Sequence, residues 1–122
     1  MSENYVPANE QLIVEVYTNH YEASLAFYLS YGFRVVRDEG NFAELGWEDS
    51  RLFIEAVADA PVASVNIGNL RVMVADVDAY WQLAQQQNAE IIHPIADRDY
   101  GLRDFTIAGP DGLGLRFATE LR

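Results

Sequence analysis

Cysteine is absent from the 122-residue chain, which excludes disulfides, thiolate metal sites and cysteine nucleophiles and leaves the redox compartment unmarked. Cations are scarce: eight Lys plus Arg stand against 19 Asp plus Glu, a formal net charge of −11. A surface of that sign repels phosphate backbones and anionic membranes, so neither nucleic acid nor a membrane is an expected partner. It favours encounter with cationic ligands, or it simply keeps the chain soluble. No run is long and apolar enough to span a bilayer, and the polar start Met1-Ser2-Glu3-Asn4 is unlike a secretion signal, so a cytoplasmic location is expected. Only two histidines are present, and neither has a serine and a carboxylate arranged around it, which removes a nucleophilic triad. The glycine-rich stretch Gly109 to Gly114 reads as a hairpin turn; Pro110 removes an amide that a phosphate-cradling loop needs.

What is present is a plan used twice. Leu12 to Tyr17 reads as a strand and leads into a helix through Ser24-Leu25-Ala26-Phe27-Tyr28, with Gly32 as its left-handed stop and Asn19 with Glu22 as a capping box. Leu70 to Val74 followed by Asp76 to Trp81 repeats it in weaker form, with Asp76 to cap and Asn88 to stop. Leu25, Tyr28 and Leu29, then Val77, Tyr80 or Trp81, and Ala84, recur at helical spacing and give each helix one apolar stripe. Three strand-like runs follow each helix: Phe33 to Asp38, Phe42 to Trp47 and Arg51 to Val57, then Glu90 to Ile95, Leu102 to Ala108 and Leu113 to Thr119. The expectation is an α+β fold of one domain. It comprises two paired β-α-β-β-β modules, 11–58 and 67–120, joined by a linker over 58–66, whose curled mixed sheets form a cup-shaped cavity.

The run Ser24 to Tyr28, the stop at Gly32-Phe33, the helix start Val77-Asp78-Ala79, and Gly101-Leu102-Arg103-Asp104-Phe105 followed by Pro110-Asp111-Gly112 resemble the vicinal-oxygen-chelate superfamily. That group includes glyoxalases, extradiol dioxygenases, and fosfomycin- and bleomycin-resistance proteins. The resemblance extends from Gln11 to Ala118 and implies paired modules around a cavity, often completed by a homodimer. A polar leader, Met1 to Glu10, could reach a neighbouring subunit. The resemblance also implies a divalent metal held by the first and fourth strands of both modules. Those positions fall here on Ile13, Glu55, Asn69 and Arg116: an alkyl group, one carboxylate, a weak neutral donor and a cation. Three or four protein donors usually hold such an ion, so no metal and no other cofactor is expected.

Alternation along the strands sets the cavity lining. With Leu12, Val14 and Val16 under the first helix, Ile13, Glu15 and Tyr17 face the cup. Phe53, Glu55 and Val57 do so from the fourth strand, Asn69, Arg71 and Met73 from the fifth, and Gly114, Arg116 and Ala118 from the last. Trp47 would add a stacking wall at the rim. The candidate ligand-binding set is therefore Ile13, Glu15, Tyr17, Trp47, Phe53, Glu55, Asn69, Arg71 and Arg116, with no catalytic residue assigned. Two structural alternatives accompany it: Glu15 pairs with Arg71 and Glu55 with Arg116 only to neutralise charge, and Tyr17, Phe53 and Trp47 are core. His20 is read as an exposed or capping residue and His93 as a surface or rim residue. The functional expectation is a non-catalytic protein of the bleomycin-resistance type that sequesters a cationic or amphipathic small molecule. The alternative is a lyase, isomerase or dioxygenase using Glu55 as metal ligand or general base.

Overall fold

The computed structural model describes residues 6–61 and 66–122. The elements run α1 (Ala8–Gln11), β1 (Val14–Thr18), α2 (Tyr21–Ser30), β2 (Arg34–Asp38), β3 (Phe42–Trp47), β4 (Ser50–Ala56), β5 (Gly68–Met73), α3 (Val77–Gln86), β6 (Ile91–Asp97), β7 (Leu102–Ala108) and β8 (Leu113–Glu120). They group into two compact units, Met1–Pro61 and Val62–Arg122. Each contains one mixed, open four-stranded sheet, in the order β1-β4-β3-β2 in the first and β5-β8-β7-β6 in the second. The N-terminal strand of each unit pairs in parallel with its last strand, and the other pairings are antiparallel. The α+β class and the repeated plan of the sequence are thus present in each half. Of the linker, residues 62–65 lie outside the described residues, as do residues 1–5 of the leader. The end of that leader is not extended but folds as α1, against β4.

The helices stop as the sequence implies. Gly32 has φ +110°, its N–H donates to the Leu29 carbonyl and that of Phe33 to Tyr28. Asn88 has φ +54°, with Asn88 N–H donating to Gln85 and Ala89 N–H to Ala84. Both ends therefore close with the same pair of reversed bonds around one left-handed residue. The starts differ from expectation. The N-cap of α2 is His20, without a side-chain cap bond, and the Asn19 amide donates to the Ala60 carbonyl at 3.0 Å, so no capping box forms. At α3 the N-cap is Asp76, but the Val77 N–H is satisfied by Thr119 Oγ1 on β8, at 3.0 Å. Tertiary partners displaced the local ones because buried backbone donors need an acceptor, not a particular one.

The core of each unit lies between helix and sheet. Tyr21, Ser24, Leu25 and Tyr28 of α2 are buried, whereas Leu29 is exposed. Val16, Ala43, Leu45, Leu52 and Ile54 are buried with them, and the buried hydroxyls of Thr18 and Ser24 bond to each other at 2.9 Å. Leu12 is 90% exposed and precedes β1, so it does not pack under the helix. In the second unit Tyr80 stacks on Phe117 with ring centroids 4.5 Å apart, and Trp81 meets Phe105 edge-on at 5.2 Å. Burying Phe117 alone contributes about 1.5–3 kcal/mol. Because side chains alternate, filling one face of each sheet this way directs the intervening residues to the face away from the helix.

Candidate functional site

On the first sheet that second face carries two cross-strand rows. Glu15, Phe53 and Glu44 are paired neighbours, as are Tyr17, Glu55 and Phe42. Phe42 and Phe53 meet edge-on at 5.1 Å, and Arg37 lies 5.2 Å over the Phe42 ring. Glu44 is held by Arg51 at 3.2 Å. Glu15, Tyr17 and Glu55 are exposed, so this face offers aromatic surface edged with carboxylates, the chemistry that receives an organic cation. Alternation thus brings Glu15, Tyr17, Phe53 and Glu55 together. The other two first-unit candidates lie outside these cross-strand rows. Ile13 lies in the connection before β1 rather than in the strand. Trp47 packs edge-on against Phe33 at 5.1 Å, and a Cβ on Gly32 would stand 3.2 Å from its ring. It shares parity with Ala43 and Leu45, so it belongs to the helix-covered side and is no rim platform.

The second sheet holds a hollow of about 270 Å³ lined by Asn69, His93, Arg98, Tyr100, Asp104, Thr106 and Arg116. At its base Asp104, whose side chain is 3% exposed, receives Arg98 Nε on Oδ1 at 2.9 Å and the Tyr100 hydroxyl on Oδ2 at 2.6 Å. Arg116 donates Nε to the same Oδ2 at 3.2 Å and Nη2 to it at closer range, and Nη2 also reaches the Tyr100 oxygen at 2.6 Å. Burial by itself raises the Asp104 carboxyl pKa; the hydrogen bonds from Tyr100, Arg116 and Arg98 outweigh it and hold the group below the usual carboxylate range. Bonding to that carboxylate raises the Tyr100 hydroxyl, which therefore stays a donor. Arg116 thus takes a carboxylate of its own sheet, which alternation on β7 sets on the same face.

The backbone explains the assembly. Pro94 cannot donate to a ladder, so β6 sits at the sheet edge with register shifts around it, and the Pro94 carbonyl is left to accept Arg98 Nη2 at 2.6 Å. The turn to β7 closes with Gly101 at φ +93°, placing Arg98 and Tyr100 on either side of Asp104. Gly114 forms the floor beside them: a Cβ there would collide with Asn69 Oδ1 and lie 2.9 Å from Thr106 Cγ2. Arg71 is the direct cross-strand neighbour of Arg116, and Thr106 the neighbour on the other side. So Asn69, Arg71 and Arg116 do share a face, as the alternation requires. Asp104, Arg98, Tyr100 and His93 complete it. The sequence signal for Asp104 is a charged residue directly before Phe105, at the parity of the face and one strand from Arg116.

The metal positions implied by the resemblance do not fit an ion. Ile13 offers no donor atom, and Arg116 is a cation bound to its own carboxylate. Among the described residues no three His, Cys, Asp or Glu side chains converge as a metal cluster, and no helix is long and apolar enough to cross a membrane.

Solved structures share this fold at low identity. A glyoxalase/bleomycin resistance protein/dioxygenase from Nocardioides aligns over 98% of this chain and 88% of its own, with 19% identity and a TM-score of 0.76. A bleomycin-binding protein complexed with bleomycin aligns over 91% and 98%, with 17% identity and a TM-score of 0.71. A lactoylglutathione lyase from Agrobacterium tumefaciens aligns over 93% and 96%, with 16% identity and a TM-score of 0.71. No curated protein sequence matches significantly. Binders and enzymes both appear among these neighbours, and at such identities they establish the fold alone. Residues 11–117 match the family described as the Glyoxalase/Bleomycin resistance protein/Dioxygenase superfamily, and the chain belongs to it.

Proposed function

We propose that the chain is a non-catalytic small-molecule binding protein of the bleomycin-resistance type. The observation that carries this reading is the state of Arg116: the residue standing at a family metal position is tied by its guanidinium to a buried carboxylate. The first sheet supports it with Tyr17, Phe42 and Phe53 beside the exposed carboxylates of Glu15 and Glu55. Such a face grips a cationic or amphipathic organic molecule by stacking and charge. A homodimer in the cytoplasm belongs to the same proposal; sedimentation showing only a 13.7 kDa species at working concentration refutes the dimer.

The test is calorimetric titration with bleomycin, followed by chromatography of the recovered ligand. Tryptophan fluorescence is a poor reporter, since Trp47 and Trp81 both pack on the helix sides of their sheets. The expected result is saturable binding at micromolar concentration or below, weakened by Glu15→Gln and Glu55→Gln, with the ligand returned unchanged. Stoichiometric retention of Zn, Mn, Ni or Fe by side chains of the protein, or turnover abolished by Glu55→Gln, overturns the reading in favour of the Glu55-dependent enzyme.

A further inference from the structure

Every Lys-or-Arg position of this chain is an arginine, because the sequence contains no lysine. Arg71, Arg98 and Arg116 stand on one face of the second sheet. From this placement we infer that the hollow of the second sheet is a recognition site for the carboxylate of a small organic anion. The inference rests on the binding reading above and goes beyond it, adding to the aromatic and carboxylate face of the first sheet a second site for a ligand group of opposite charge.

Charge and donor geometry carry it. The lining of the hollow contains two guanidiniums and one carboxylate, and the exposed guanidinium of Arg71 adds a third cation directly across from Arg116. Cross-strand like charges repel, so an unliganded Arg71–Arg116 pair is an arrangement that an arriving anion relieves. Asp104 offsets one of these three charges and leaves the face cationic. Its two oxygens already accept Arg98, Tyr100 and Arg116, and it is buried beneath them, which makes it a clamp that orients the guanidiniums instead of a cation receptor. Among the described residues the Nη1 groups of Arg98 and Arg116 donate to no protein acceptor, nor does the Asn69 Nδ2, whose Oδ1 is taken by Asn66 at 2.9 Å. These are planar, pre-aligned N–H donors, the kind that match a carboxylate in two-point fashion. The nearby carboxylate of Asp97 is turned to Arg103, at 3.0 Å, and Glu120 pairs with Arg122 at the end of the sheet. The net charge of −11 therefore does not describe this face, and the cationic-ligand expectation drawn from it has no counterpart here.

The hollow of about 270 Å³ is large enough for a carboxylate with a single attached ring. Phenylacetate, phenethylamine and methyl phenylacetate present the same ring with a negative, a positive and no charge. Each is titrated into the wild-type chain while the backbone amides of Asn69, Thr106 and Arg116 and the Nε–Hε signals of Arg98 and Arg116 are followed by NMR. Phenylacetate is expected to shift these signals saturably, and less so as salt rises; the amine and ester are expected to leave them in place. Arg71→Glu, at an exposed position without an ion-pair partner among the described residues, should weaken phenylacetate about tenfold, and Arg71→Lys much less. Absence of saturable shifts with phenylacetate, equal response to phenethylamine, or an unchanged affinity in Arg71→Glu overturns the inference. Bleomycin binding that persists alongside such a failure leaves the proposed function standing. Phenylacetate that binds here and is converted to product supports this site and overturns the non-catalytic reading instead.

Discussion

Replacing Asp104 by asparagine keeps the shape of the second-sheet hollow and removes its only buried charge. In the wild-type chain the carboxylate takes donors from Arg98, Arg116 and Tyr100 and is buried. The amide retains one acceptor oxygen and turns two N–H donors toward groups that are themselves donors. Two guanidiniums are left side by side without their counter-ion. Breaking a buried pair by deleting one partner costs about 3–5 kcal/mol, a large share of the roughly 5–15 kcal/mol that stabilises a domain. At this chain length about 4 °C accompanies each kcal/mol, so the expected fall in Tm is roughly 12–20 °C. Urea denaturation followed by far-UV circular dichroism measures the loss directly. The sign of its pH dependence follows from the pKa. The folded carboxyl lies below its unfolded value of about 3.9, so its stabilisation is complete above that pH and drains away as pH falls through the folded value. The gap between wild type and Asp104→Asn should therefore be full at pH 7 and narrow below about pH 4. A loss under about 1 kcal/mol at pH 7 would refute the reasoning, because it would place the carboxylate in solvent rather than beneath its arginines.

Gly32→Ala forces a side chain onto φ +110° with its Cβ 3.2 Å from the Trp47 ring, and should lose about 1–3 kcal/mol in urea titration. Asn88→Gly relieves a left-handed residue at φ +54° and should gain a few tenths to about 1 kcal/mol by the same measurement. Ile54→Ala, at a wholly buried site on β4, should lose about 2–5 kcal/mol, and Ile54→Val about 0.5–1.5. A Gly114→Ala chain should fold with lower stability, and its phenylacetate shifts should be weakened, since the new methyl displaces Asn69 at the floor of the hollow.

Much of the architecture was legible because it rests on local chemistry. Left-handed stops need Gly32 or Asn88 whatever surrounds them, and strict alternation separates Leu52 and Ile54 from Phe53 and Glu55 on β4. The same alternation put Glu15, Tyr17, Arg71 and Arg116 on the faces away from the helices. What it could not show was which partner each charge takes. Arg116 meets Asp104 only because the hairpin pairing of β7 with β8 sets residue 104 diagonal to it, and the register of that pairing is a tertiary fact. For Trp47 the core alternative is the one that its parity with Ala43 and Leu45 and its contact with Phe33 support. The side-chain cap bonds are missing for a related reason, although Asp76 does stand at the N-cap of α3. Asn19 and Asp76 are competent locally, but Ala60 and Thr119 come from distant parts of the chain to bond with Asn19 and Val77.

The parallel pairings at one edge of each sheet have a kinetic meaning. β1 meets β4 with Val14 opposite Leu52, and β5 meets β8 with Gly68 opposite Leu113, so each closes a loop holding a helix and the two intervening strands. The antiparallel strands between them need only short turns. Loop closure of that length is slow to form and quick to open relative to a hairpin. β1 and β5 should therefore be the last strands to join and the first whose amides exchange with deuterium. Since β5 delivers Arg71 to Arg116, a molecule that bridges the two guanidiniums would fasten the sheet at its loosest seam, and protection of β5 would rise with occupancy.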